Sequence, residues 1–161
     1  MHRYLLLPSF FLLLSFLTGP VLALPAPMSD DELLAKSDLV ALIRVLSVTC
    51  TGVAKDERTG KALPSYKANI EVMEVIKGDV AKGDDVTITF HAISKGILGP
   101  WTVYYYPGEM VFTHLVRDGD AHTTTWWNGR GKLVNKAIIT DLPTDAGETI
   151  EVPRRTSHPG N

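Results

Sequence analysis

Few side chains in this sequence have types and spacing suited to chemistry. Histidines stand at positions 2, 91, 114, 122 and 158, and the single thiol is Cys50. An aromatic set (Trp101, Tyr104, Tyr105, Tyr106, Trp126, Trp127) runs up to one arginine, Arg130. Histidines 91, 114 and 122 are the candidates for a metal or acid–base site, since His158 lies in the tail. A zinc site wants three or four ligands, so the hairpin register between His114 and His122 matters. A two-residue Asp118-Gly119 turn places His122 opposite Leu115, with the two histidines on opposite sides. A three-residue loop, 118–120, places it opposite Val116, one diagonal from His114 on the same face. Even then only two ligands converge, so no metal ligand is assigned.

Nucleophilic and phosphate chemistry lack their motifs: there is no Gly-x-Ser-x-Gly, no His-Glu-x-x-His and no phosphate loop. The carboxylate pairs Asp30-Asp31 and Asp84-Asp85 fall at a helix start and a turn, where acids cap and solvate. No catalytic residue and no cofactor is assigned. The enzymatic alternative is a small exported metal-dependent hydrolase using surface histidines.

The aromatics offer more. In "TTTWWNGRGK", residues 123–132, strand alternation sends Trp126 and Trp127 to opposite faces. One then fills the core. The other either packs under the 93–108 loop, whose Trp101 and tyrosines need company, or stays partly exposed beside Arg130. Exposed aromatic clusters mark interaction sites. The candidate binding residues are therefore Trp101, Tyr104, Tyr105, Trp126, Trp127 and Arg130. The expected role is an exported, non-catalytic binding module for an extracellular or envelope protein.

Elements must hold these residues in place. A basic start (His2, Arg3), an apolar run from Leu5 to Leu17, Gly19-Pro20 and the site Val21-Leu22-Ala23 read as a cleavable signal peptide. The run is too short for a membrane span, and cleavage is expected after Ala23. Loss of residues 1–23 removes one base, Arg3, and moves the net charge from −2 to −3. Neither nucleic acid nor an anionic membrane is suggested by that balance. With one cysteine there is no internal disulfide, so a full apolar core must hold the domain, with Cys50 packed inside it.

Residues 24–37 form a leader and a short helix, for Ser29 and Glu32 have capping-box spacing. Strands follow over 38–50, 66–79, 85–92, 109–117 and 121–127, with a short sixth possible at 132–135. The segment 51–65 reads as a mobile loop. In 66–79 the apolar phase slips near Val72–Met73, the mark of a β-bulge. Every junction lacks a helical crossover, which predicts an antiparallel sheet. The fold class is all-β: an OB-like barrel of five to six strands over 38–136, with a β-sandwich as the alternative. Residues 137–161 read as a polar tail.

Two short motifs carry a family likeness. Ser37-Asp38 opens the first strand, and a tyrosine-led second strand ends in Lys77-Gly78. Over roughly residues 37–117 the sequence resembles the netrin-like module of tissue inhibitors of metalloproteinases. It is also similar to small exported bacterial proteins sharing KGD, GD and PGE runs. The likeness implies an OB-type barrel. Those inhibitors chelate the protease zinc through an N-terminal cysteine, and this chain has no cysteine before Cys50, so no inhibitory residue carries over.

Overall fold

The computed structural model describes residues 25–93 and 102–154. Among the described residues one helix, α1 (Asp30–Lys36), precedes seven strands: β1 (Leu39–Lys55), β2 (Ala62–Lys77), β3 (Asp85–His91), β4 (Met110–Asp118), β5 (Ala121–Thr124), β6 (Arg130–Asn135) and β7 (Thr149–Glu151). Five close into a barrel in the order β1-β2-β3-β5-β4-β1, with β6 and β7 as additions. This is the all-β, OB-like barrel the sequence predicts, with two differences. β3 and β5 pair in parallel, at Ile88 and His122, because β5 reaches β3 by way of β4. A seventh strand, β7, lies in the stretch read as a polar tail.

The helix forms where the capping box predicts. The Ser29 side chain accepts from the Glu32 N–H, and the Glu32 carboxylate accepts from the Ser29 N–H. At its far end the Lys77 ammonium donates to the carbonyls of Leu34 and Ala35, satisfying orphan acceptors. Among the described residues no helix is long and apolar enough to cross a membrane.

β1 and β2 form one long bulged hairpin. Leu42 faces Glu74 and Ile43 faces Val72, so Met73 is the extra residue, at the point where the apolar phase slips. A second extra residue on β2 is Ile76, and β1 carries two of its own, Leu46 and Thr51. Each bulge bends and twists the ladder, which lets β1 pair with β4 over Leu39–Arg44 and with β7 over Ser47–Thr49 on its other edge. The expected mobile loop 51–65 is instead mostly strand, narrowed to a turn at 56–61. There the Asp56 carboxylate accepts from the N–H groups of Arg58 and Thr59.

The core is one cluster built from inward residues of all the long strands, among them Ile43, Val45, Ile70, Ile88, Val111 and Leu115. Phe90 is its aromatic hub, stacked on Tyr66 at 5.1 Å and edge-on to Tyr105 at 5.7 Å. Cys50, the only cysteine, is fully buried, so no internal disulfide exists. Ser37-Asp38 and Lys77-Gly78 meet at a structural junction. A Cβ on Gly78, whose φ is +122°, would lie 2.9 Å from the Asp38 carbonyl oxygen. Asp38 in turn accepts the Arg117 N–H at 2.7 Å.

Gly78→Ala should therefore destabilise the fold by about 2–3 kcal/mol, through conformation and collision together. Gly83→Ala, with φ of +92° but nothing within 4 Å, should cost only about 1 kcal/mol. Urea unfolding of the two variants measures the difference.

Candidate functional site

The return path from β4 carries the tryptophans. β5 pairs back along β4 until Thr124 lies opposite Leu115. Pairing on the same edge resumes with Arg130 opposite Thr113, as β6. One residue of β4, His114, is thus left facing five residues of the returning chain, Thr125 to Gly129. That segment loops out, and His114 closes its neck. Thr125 N–H donates to the His114 carbonyl at 3.0 Å, and His114 N–H donates to the Gly129 carbonyl at 2.8 Å. Within the loop, Gly129 N–H donates to the Trp126 carbonyl at 2.8 Å. A Cβ on Gly129 would come 3.0 Å from that same oxygen, so glycine suits the neck.

This corrects the expectation that the tryptophans alternate along a strand. β5 stops at Thr124, so neither ring obeys strand alternation and both are half-buried. The loop is clamped on two sides. The Trp126 Nε1 donates to the Ala26 carbonyl at 3.1 Å, and the Asn128 amide exchanges two hydrogen bonds with the Met28 backbone at 2.8 and 3.2 Å. The leader therefore packs as a strap beside Trp126. Trp127 turns toward residues 102–106. It stands between two adjoining clefts of about 270 and 310 Å³, and both include Thr102, Val103 and Trp127 in their walls. The first adds Phe90, His91 and Trp126, and the second adds Tyr104, Tyr106 and Arg130.

Beneath the second cleft lies a buried polar cluster. The Arg130 Nη2 donates to Glu109 Oε2 at 2.7 Å, and Glu109 is only 1 % exposed. Glu109 continues the inward phase of Val111, Thr113 and Leu115, so strand alternation aims it into the barrel. Burial pushes its carboxyl above the ordinary range, while the Arg130 guanidinium opposes the rise. Tyr105 is fully buried, and its hydroxyl is shared with Thr113 Oγ1 at 2.6 Å and Thr124 Oγ1 at 2.9 Å. Burial raises the Tyr105 hydroxyl as well. Three buried atoms here have no hydrogen-bond partner among the described residues: Glu109 Oε1, Arg130 Nε and Trp127 Nε1.

Of the residues predicted for binding, Tyr104, Trp126, Trp127 and Arg130 come together around these clefts. Tyr105 does not belong to the surface, because its ring packs on Phe90 and its hydroxyl is spent inside the barrel. Trp101 lies outside the described residues. Glu109 was missed as a site residue, although its inward phase in the strand was readable as an acid needing a buried cation.

The histidines diverge. The turn is Gly119-Asp120, with Asp118 opposite Ala121, so His122 faces Arg117 rather than either residue the sequence suggested. His114 therefore points away from His122, and its Nδ1 lies 3.1 Å from the Gly129 carbonyl. His122 is buried, and its pKa is lowered by burial first and then by Arg117, with Asp38 opposing. Among the described residues no three His, Cys, Asp or Glu side chains group as a metal site. Comparison of the chain with protein-family models, with curated proteins and with solved structures finds no match.

The Glu109 shift has a definite consequence for stability. An acid whose native pKa lies above its unfolded value holds its proton longer when folded. Its contribution is present at low pH and is lost as pH rises through the raised native value. Stability of the wild type minus that of Glu109→Gln should fall as pH rises from the ordinary glutamate range through the raised native value, as read from urea unfolding at each pH.

Proposed function

We propose that this chain is an exported, non-catalytic module that binds a protein through the surface on either side of Trp127. The observation that carries the reading is the looped-out segment 125–129. It lifts both indoles out of the ladder and sets Trp127 against Tyr104, Tyr106 and Arg130. Tryptophan, tyrosine and arginine are the residue types that dominate protein-binding energy, and they do so where surrounding contacts exclude water. Export is supported by the apolar start of the chain and the small-residue site ending at Ala23.

An inhibitor-like role, in the manner of netrin-like modules, is one form of this reading. Its two motifs sit at the α1–β2 junction, where they support a fold rather than an activity. The metal-dependent alternative gains no support from histidines on opposite faces of the β4–β5 ladder.

A photo-crosslinking residue at Tyr106 should capture one discrete partner in the exported protein's compartment, and one at the exposed Glu57 should not. Equal labelling at the two positions would sink the proposal. Trp127→Ala should weaken capture by about tenfold or more, the range of a hot-spot aromatic, with unfolding monitored in parallel. N-terminal sequencing of the exported protein should begin at Leu24. A chain retaining residues 1–23 would contradict the export reading.

A further inference from the structure

Arg44 is the only charged residue between Leu39 and Cys50 of β1, and it is 6 % exposed. Its neighbours Ile43 and Val45 point into the core, so alternation places Arg44 on the outer wall of the barrel. There the Nη2 donates to the Pro153 carbonyl at 3.0 Å. Among the described residues no carboxylate lies within ion-pair distance of it. Glu71, opposite Arg44 on β2, is paired with Arg154, and Arg154 also holds Asp85. A guanidinium keeps its charge in proteins, and a buried cation without a counter-charge is costly.

The surroundings supply more donors. Register sets Arg44, Met110 and Asn135 in one row across β1, β4 and β6. The Asn135 amide donates to the Met110 sulfur at 3.3 Å, a weak acceptor. Lys136 follows on the chain with its side chain exposed. These residues, with Gly108 and Ile138, line a cleft of about 230 Å³ that contains two cationic side chains and no acid. The volume exceeds that of several waters at about 30 Å³ each. The cleft is separate from the one at Trp127, because Met110 and Glu109 point to opposite sides of the β4 wall.

We infer that this outer-wall cleft is a binding site for a small oxyanion, a carboxylate or a phosphate, held by the Arg44 guanidinium, the Asn135 amide and the Lys136 ammonium. The oxyanion supplies the missing counter-charge for Arg44 and replaces the Met110 sulfur as acceptor for Asn135. A planar carboxylate meets a guanidinium through two parallel hydrogen bonds, and a phosphate does so while leaving oxygens for Lys136.

The test is a titration of the folded chain with sodium acetate and, separately, sodium phosphate, each against chloride at matched ionic strength. The readouts are the Arg44 Nε–Hε resonance and the melting temperature. The expected result is a saturating shift of the Arg44 resonance in the millimolar range, with a rise in melting temperature. Stronger binding of acetate assigns a carboxylate ligand, and stronger binding of phosphate assigns a phosphate-bearing one. Lys136→Gln, at an exposed position, should weaken binding about threefold, the worth of one exposed charge. Arg44→Gln should abolish the anion-dependent rise in melting temperature, and if it unfolds the domain the Lys136 variant decides. Absence of saturation with either anion overturns the proposal. An unchanged affinity in Lys136→Gln, an adventitious ion only, overturns it too.

Discussion

β1 has to serve both sides of a closed barrel. One of its edges is occupied by β2 along its whole length, and the other is shared in sequence by β4 and β7. A flat strand cannot turn from one partner to the next, so the bulges at Leu46 and Thr51 on β1, and at Met73 and Ile76 on β2, are what make closure possible. Nearly every other feature follows from that curvature. It brings β4 back onto β1, leaves β5 to seal against β3 by a single parallel bridge, and turns the outer face of β1 toward the C-terminal segment, where Val152 N–H donates to the Leu46 carbonyl.

Closure also sets the conditions for the site. β4 gives one edge to β1, so its other edge must accommodate all of the returning chain. That chain sets five residues against the one place β4 offers at His114, and the excess is expelled as the tryptophan loop. The loop is not loose. Its neck is hydrogen-bonded to His114, its outer side is tied to the leader through Asn128, and its inner side abuts residues 102–106. A binding surface built on such a frame needs little reorganisation to meet a partner, which is where preorganised affinity comes from.

The end of the barrel below Trp127 is polar where an apolar core would be simpler. Glu109 and Arg130 form one pair and Tyr105, Thr113 and Thr124 a second set beside it, each held by 2.6–2.9 Å hydrogen bonds, with some atoms left over. Such networks rarely add net stability. They fix which groups face one another, and here they fix Arg130 beside Trp127. Arg44 is the corresponding oddity on the outside of the same wall. Its charge sits one residue away from the core, and a strand's alternation alone separates the two environments.

Much of the framework was legible in the residues. Ser29 and Glu32 announced α1, the alternation of Val86, Ile88 and Phe90 announced β3, and the phase slip at Val72–Met73 announced a bulge. These are local signals, because capping and period-two alternation act over a few residues. The sequence by itself thus determined an all-β chain, the short capped helix α1, its one buried thiol and the composition of the aromatic cluster. Tertiary structure decided the rest. The parallel seal of β3 on β5, the added strand β7, the expulsion of both tryptophans, the burial of Tyr105 and the meeting of Glu109 with Arg130 all depend on which edges pair over long separations. Pairing between distant strands is chosen by the closed barrel as a whole, and no short stretch of residues encodes it.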